Sequence, residues 1–91
     1  MPSVAKVYES VPISAAQLRR LYAIAYGTKY SAGALGGTKR DKANQLWEIV
    51  QRYGYDDWDC VDQNADPKGW LHVAHYNQII EELEAMKGAR L

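Results

Sequence analysis

The side chains in this chain that could do chemistry sit in an acidic stretch, a histidine pair, a single cysteine and a basic, glycine-rich segment. Asp62, Asn64 and Asp66 alternate like the opening ligands of an EF-hand calcium loop, with Gly69, Leu71 and Tyr76 following in roughly the right order. Pro67 and Lys68 intervene before the glycine, however, and His75 stands where a bidentate glutamate should close the coordination sphere. Calcium is therefore not expected; short Asp and Asn side chains here should hold turns through neighbouring amides. His72 and His75 are three residues apart and can share a helical face, but no third ligand or carboxylate pair accompanies them. Partly exposed histidines at a helix start are expected, not a metal site or a general base. Cys60 lies near Asp57, Asp59 and Asp62, whose charge disfavours a thiolate nucleophile. Ser14 is accounted for as a helix cap. These residues imply no catalytic site, no metal, no cofactor and no enzyme activity.

The basic segment suggests binding. The run from Gly33 to Lys39 has the composition of a phosphate loop but not its spacing, since Thr38 precedes Lys39 and a helix, not a buried strand, comes before it. Two readings remain open: a glycine-rich approach to a helix start that holds a phosphate beside Lys39, Arg40 and Lys42, or a flexible connection with a solvated charged turn. With Arg19, Arg20, Lys29 and Tyr30, these three cations form the candidate nucleic-acid surface, and Tyr26 or Tyr30 could stack on an unpaired base. Binding of single-stranded DNA is expected to be weak and steeply salt-dependent. The candidate partner-binding residues are Trp58, Trp70, Glu81 and Glu82. Charge is divided between the halves: Met1 to Asn44 carries seven Lys or Arg against two acids, and Gln45 to Leu91 carries four against nine. Either the halves attract each other on folding, or each faces its own partner.

Three amphipathic helices must position these groups. The first, near 14–26, begins with a capping box of Ser14 and Gln17, is stapled by Ile13 and Leu18, and ends at Gly27 as a left-handed cap. Leu18, Leu21, Tyr22 and Ala25 form its apolar face. The second, near 38–53, starts at Thr38 with Asp41 in its first turn and closes at Gly54; its Trp47 and Val50 should face Leu21 and Tyr22. The third, near 72–87, carries Val73, Tyr76, Ile79, Ile80, Leu83 and Met86 on one stripe and ends at Gly88. The expected core joins Leu18, Leu21, Tyr22, Leu46, Trp47, Val50, Tyr76, Ile79, Ile80 and Leu83. The fold class expected is all-α, a small three-helix domain with a Gly-rich loop and an irregular Trp/Asp-rich insert, which Trp58, Val61 and Trp70 pin onto the core.

Ninety-one residues suffice for one small domain. Residues 1–12 read as an extended lead-in or linker, 13–88 as the helical domain and 89–91 as a frayed tail. A single cysteine, no signal-peptide pattern and no membrane-length apolar run lead to an expectation of a soluble, cytoplasmic protein.

The segments ISAAQLRRLYAIA (13–25), YGYDD (53–57) and YNQIIEEL (76–83) together resemble a helical docking domain. That domain lies at the C-terminal end of phage-type single-strand annealing and recombination proteins of the RecT, ERF and Rad52-like groups. The resemblance covers Val11 to about Met86 and departs in the Gly-rich loop, the long second helix and the insert from Trp58 to Trp70. The annealing core has no counterpart, so the resemblance implies docking and not annealing. It implies a non-catalytic phage or mobile-element module of DNA recombination or replication, whose partner is a nuclease or single-strand-binding protein and which makes weak single-stranded DNA contact. The alternative is a free-standing regulator or inhibitor of a host nuclease or CRISPR complex.

Overall fold

The computed structural model describes residues 11–89 and, within them, a mostly helical domain with one small antiparallel hairpin. The helices are α1 (Ala15–Tyr26), α2 (Lys39–Gln51) and α3 (Val73–Ala89). α1 begins with the expected capping box: Gln17 N–H donates to Ser14 Oγ at 3.2 Å, and Ser14 N–H donates to Gln17 Oε1 at 2.7 Å. α2 has a second one, in which Asp41 N–H donates to Thr38 Oγ1 at 3.1 Å and Thr38 N–H to Asp41 Oδ2 at 3.0 Å. Those bonds hold the Asp41 carboxyl below its usual pKa.

The expected three-helix architecture is present, and the Gly-rich segment adds to it a two-stranded hairpin that the all-α expectation did not include. Gly27 does not make a left-handed helical cap: its φ of 89° is paired with an extended ψ of 175°, so the chain leaves α1 directly into a strand. Strands β1 (Gly27–Thr28) and β2 (Ser31–Ala32) pair antiparallel, Gly27 opposite Ala32 and Thr28 opposite Ser31. The returning chain then donates Ala34 N–H to Ile24 O at 2.8 Å and Leu35 N–H to Ala25 O at 3.0 Å, satisfying carbonyls that the end of α1 leaves unpaired. Glycine at 33 permits this approach. A Cβ there would lie 2.4 Å from the carbonyl carbon of Tyr26 and 2.5 Å from Ala25 O, both backbone atoms that cannot swing aside. Ala34 and Leu35 are thereby buried.

Two 3-10 turns, Trp58–Val61 and Pro67–Gly69, order the acidic insert. Trp70 plugs it from inside, its indole Nε1 donating to Asp62 O at 3.1 Å and Ala65 O at 3.2 Å. The chain entering the domain pairs with the chain entering α3. Ile13 N–H donates to Leu71 O and Val73 N–H to Val11 O, both at 2.8 Å, across an antiparallel bridge of Pro12 and His72. Val11 and Pro12 therefore belong to the domain, not to the lead-in; the rest of that lead-in, 1–10, and the tail residues 90–91 lie outside the described residues. α3 also runs through Gly88 instead of stopping there. A glycine ends a helix when it takes positive φ, and Gly88 is not among the glycines that do.

α1 packs on both other helices. Leu18, Leu21, Leu46, Val50, Tyr76, Ile79, Ile80 and Leu83 are buried as expected. Tyr22 and Trp47, assigned to the same core, are only half-buried and pack at its edge. Ile13, Ala25, Ile49, Val61 and Leu71 complete the interior with Trp70 and the loop residues Ala34 and Leu35. Among the described residues no helix is long and apolar enough to cross a membrane.

Candidate functional site

Half-buried Tyr22 lines a recess between α1, α2 and the first 3-10 turn. Tyr22 and Tyr26 are four residues apart on α1 and stack, ring centroids 5.5 Å apart at 20°. The Tyr22 hydroxyl donates to Val61 O, fastening α1 to the first 3-10 turn. That turn presents Trp58, which meets Trp47 of α2 edge-to-face at 6.0 Å. The two tyrosines, Trp58, Ala43 and the side chains of Lys39 and Lys42 line a groove of about 490 Å³. A second recess of about 370 Å³ shares Ala43 and Trp58 and extends past Asn44 and Trp47. Burial raises the pKa of both tyrosines, and that of Tyr22 reaches about 12 with the added charges of Tyr26, Asp62 and Cys60.

The expected nucleic-acid residues are dispersed. Lys39 and Lys42 enter the groove, while Arg40 is exposed on the same first turn of α2. Arg19 is exposed three residues before Tyr22, on the same face of α1. Arg20 is committed to Glu84 of α3 at 3.2 Å, an ion pair that joins the basic half of the chain to the acidic half. Lys29 and Tyr30 form the hairpin tip, where the Lys29 ammonium lies 6.0 Å from the centre of the Tyr30 ring and Tyr30 is 90% exposed. Of the expected partner-binding residues, Trp58 lines the groove and Glu81 is exposed on α3. Glu82 is paired with Arg52. Trp70 must be withdrawn as a surface residue, because it is 5% exposed and its indole N–H is used inside the insert. The groove thus unites Lys39, Lys42 and Trp58 with Tyr22, Tyr26 and Ala43. The i, i+4 spacing of the two tyrosines was the signal for their shared face; only folding leaves that face partly uncovered.

A second polar assembly lies at the start of α3. The Tyr55 hydroxyl accepts from His72 N–H at 2.9 Å and lies 2.7 Å from His75 Nδ1. Tyr53 packs on the His75 ring at 5.5 Å, and the two imidazoles lie parallel, 6.2 Å apart. This assembly locks the loop after α2 to α3. Among the described residues no group of three or more His, Cys, Asp or Glu is arranged to hold a metal ion.

The Asp and Asn side chains of the insert serve its backbone. Asn64 N–H donates to Asp62 Oδ1 at 2.9 Å, Lys68 N–H to Asp66 Oδ1 at 3.0 Å, and Asp59 N–H to Asp57 Oδ1 at 3.2 Å. Cys60 is buried, and its thiol pKa is pushed up to about 12, first by burial and further by the charges of Asp57, Asp59 and Asp56. Comparisons with protein-family models, with curated proteins and with solved structures return no match.

Proposed function

We propose that the chain is a non-catalytic interaction module that docks a segment of a partner protein, acting in the cytoplasm in DNA recombination or replication of a phage or mobile element. The docking part rests on one observation, the groove in which Tyr22, Tyr26 and Trp58 stand beside Lys39 and Lys42. Its volume falls in the range of small binding sites, and aromatic walls with a few charged groups are the composition such sites share. The chemistry of the reactive groups supports binding over catalysis: Cys60 is held as a thiol and His75 Nδ1 is engaged by Tyr55. The recombination setting rests on the motif resemblance at 13–25, 53–57 and 76–83.

The test is calorimetric titration of the purified chain with a phage recombination nuclease and with a single-strand-binding protein. A one-to-one complex is expected, weakened at least about tenfold by Trp58→Ala combined with Lys42→Glu, as for a central aromatic anchor and its charged neighbour. Binding unaffected by that double substitution would remove the groove from the function. A chain inert toward those proteins that instead blocks a host nuclease would be the free-standing regulator.

A further inference from the structure

The groove is lined by aromatic rings and cations and, among the described residues, by no acid. Lys39 and Lys42 stand beside Tyr22, Tyr26, Trp58 and Ala43, and the recess that continues past Ala43 adds only Asn44 and Trp47. Arg40 is exposed on the same turn of α2 as the two lysines, and Arg19 is exposed on the Tyr22 face of α1. None of these four cations makes an ion pair among the described residues. Three nearby acids are turned onto their own backbone: Asp41 accepts from Thr38 N–H at 3.0 Å, Asp57 from Asp59 N–H at 3.2 Å and Asp62 from Asn64 N–H at 2.9 Å. Asp56 and Asp59 are exposed and line neither recess. Unpaired positive charge beside an apolar recess is complementary to an occupant that brings both an anion and an apolar group.

A peptide and a nucleic-acid strand can each bring both, and the arrangement favours the peptide. A strand gains affinity from phosphates neutralised along its length and from bases laid on open ring faces. Here three unpaired cations share one turn of α2, whereas Arg20 is committed to Glu84 and Lys29 lies at the hairpin tip beside Tyr30. The open ring is Tyr30, which lines neither recess. The rings of the groove are half-buried, Tyr22 stacked on Tyr26 and Trp58 packed on Trp47. Half-buried walls around a hollow suit an inserted side chain. Resting on the docking reading, we infer that the groove takes an acidic segment of the partner protein that carries a large apolar side chain. That side chain enters among Tyr22, Tyr26 and Trp58, the carboxylates beside it meet Lys39 and Lys42, and Arg19 and Arg40 add to the positive field it approaches.

The test uses the full chain, isotopically labelled, and capped peptides at about 0.15 M salt. Asp-Asp-Leu-Trp-Ala is the expected ligand. Asn-Asn-Leu-Trp-Ala removes its charge, Lys-Lys-Leu-Trp-Ala reverses it, and Asp-Asp-Ser-Ser-Ala removes its large apolar side chains; an oligothymidylate of eight nucleotides is the nucleic-acid probe. The acidic peptide should shift the amides of Lys39, Lys42 and Ala43 and the indole of Trp58. The uncharged form should bind about fivefold more weakly, the size of two exposed ion pairs, and the basic form more weakly still. The form without apolar side chains should lose at least about tenfold. Lys39→Glu with Lys42→Glu should reverse the order, so that the basic peptide binds best. Acidic residues suit the first turn of a helix, so this variant should keep its fold, which circular dichroism checks. Lys39→Gln with Lys42→Gln is the second variant and should shrink the preference for the acidic over the uncharged peptide to less than about twofold.

Equal or tighter binding of the uncharged or basic peptide by the parent chain would overturn the inference, as would an order of binding that the lysine substitutions leave unchanged. Oligothymidylate that binds the groove more tightly than the acidic peptide would overturn it in favour of nucleic acid. So would the absence of groove shifts at millimolar peptide, or groove shifts that follow self-association of the chain on dilution. A partner protein whose binding depends on Trp58 and Lys42 while no peptide reaches the groove would refute this inference and leave the docking reading standing. Peptides that bind in the stated order while the recombination proteins do not bind would uphold it and refute the recombination setting.

Discussion

Removing a single hydroxyl should have opposite effects at two tyrosines of this domain. The Tyr55 hydroxyl accepts from His72 N–H at 2.9 Å and bonds His75 Nδ1 at 2.7 Å. Each such bond contributes about 0.5–1.5 kcal/mol net, so Tyr55→Phe puts about 1–3 kcal/mol at risk. Tyr55 and His75 are half-buried, which lets water replace part of the loss and sets the expectation at about 1–2 kcal/mol. The ring contact with His75 at 5.4 Å survives the change, so the hydroxyl alone is being measured. Tyr76 is 2% exposed, and its hydroxyl is buried without a hydrogen-bond partner among the described residues. An unpaired buried hydroxyl costs about 1–3 kcal/mol, so Tyr76→Phe should stabilise the domain by about 1 kcal/mol or more. Urea unfolding followed by circular dichroism at constant m-value measures both, and the melting temperatures should move in opposite directions by about 4–8 °C per kcal/mol. Destabilisation by Tyr76→Phe comparable to that by Tyr55→Phe would refute this accounting of the hydroxyls.

Leu21 has no exposed surface at the crossing of α1 with its neighbours, and Leu21→Ala should cost about 2–5 kcal/mol in the same assay. A loss below about 1 kcal/mol would show that α1 does not organise the core. Alkaline pH should destabilise the fold, because the folded state keeps the Cys60 thiol and the Tyr22 phenol protonated up to about 12, above their ordinary 9.0 and 10.0. Above pH 9 the unfolded thiol ionises first, so stability should fall through pH 9–12, and Cys60→Ala should delay the onset to about pH 10. The same burial should slow alkylation of Cys60 near neutral pH about a thousandfold relative to the unfolded chain, readable by mass spectrometry.

Much of the scaffold was legible in the residues themselves because its signals are local. The capping box at Ser14 and Gln17, the Thr38 start of α2 and the 3.6-residue periodicity of three apolar stripes act within one or two turns of chain. They placed all three helices to within about two residues at each end. The turn-holding role of Asp62 and Asp66 was legible for the same reason, since each bonds an amide two residues on. Tertiary structure decided the rest. The pairing of Val11 with Val73 joins segments 62 residues apart, and nothing local to either announces it. The hairpin depends on the carbonyls of Ile24 and Ala25 finding the amides of Ala34 and Leu35, an interaction a run of glycines and alanines does not advertise. Burial of an aromatic is likewise a property of its neighbours: Trp70 was drawn inside by the carbonyls of Asp62 and Ala65, while Tyr22 and Trp58 were left at the surface beside Lys39 and Lys42. Sequence periodicity says which face of a helix is apolar. Only packing decides how much of that face is covered, and here the uncovered remainder is the groove.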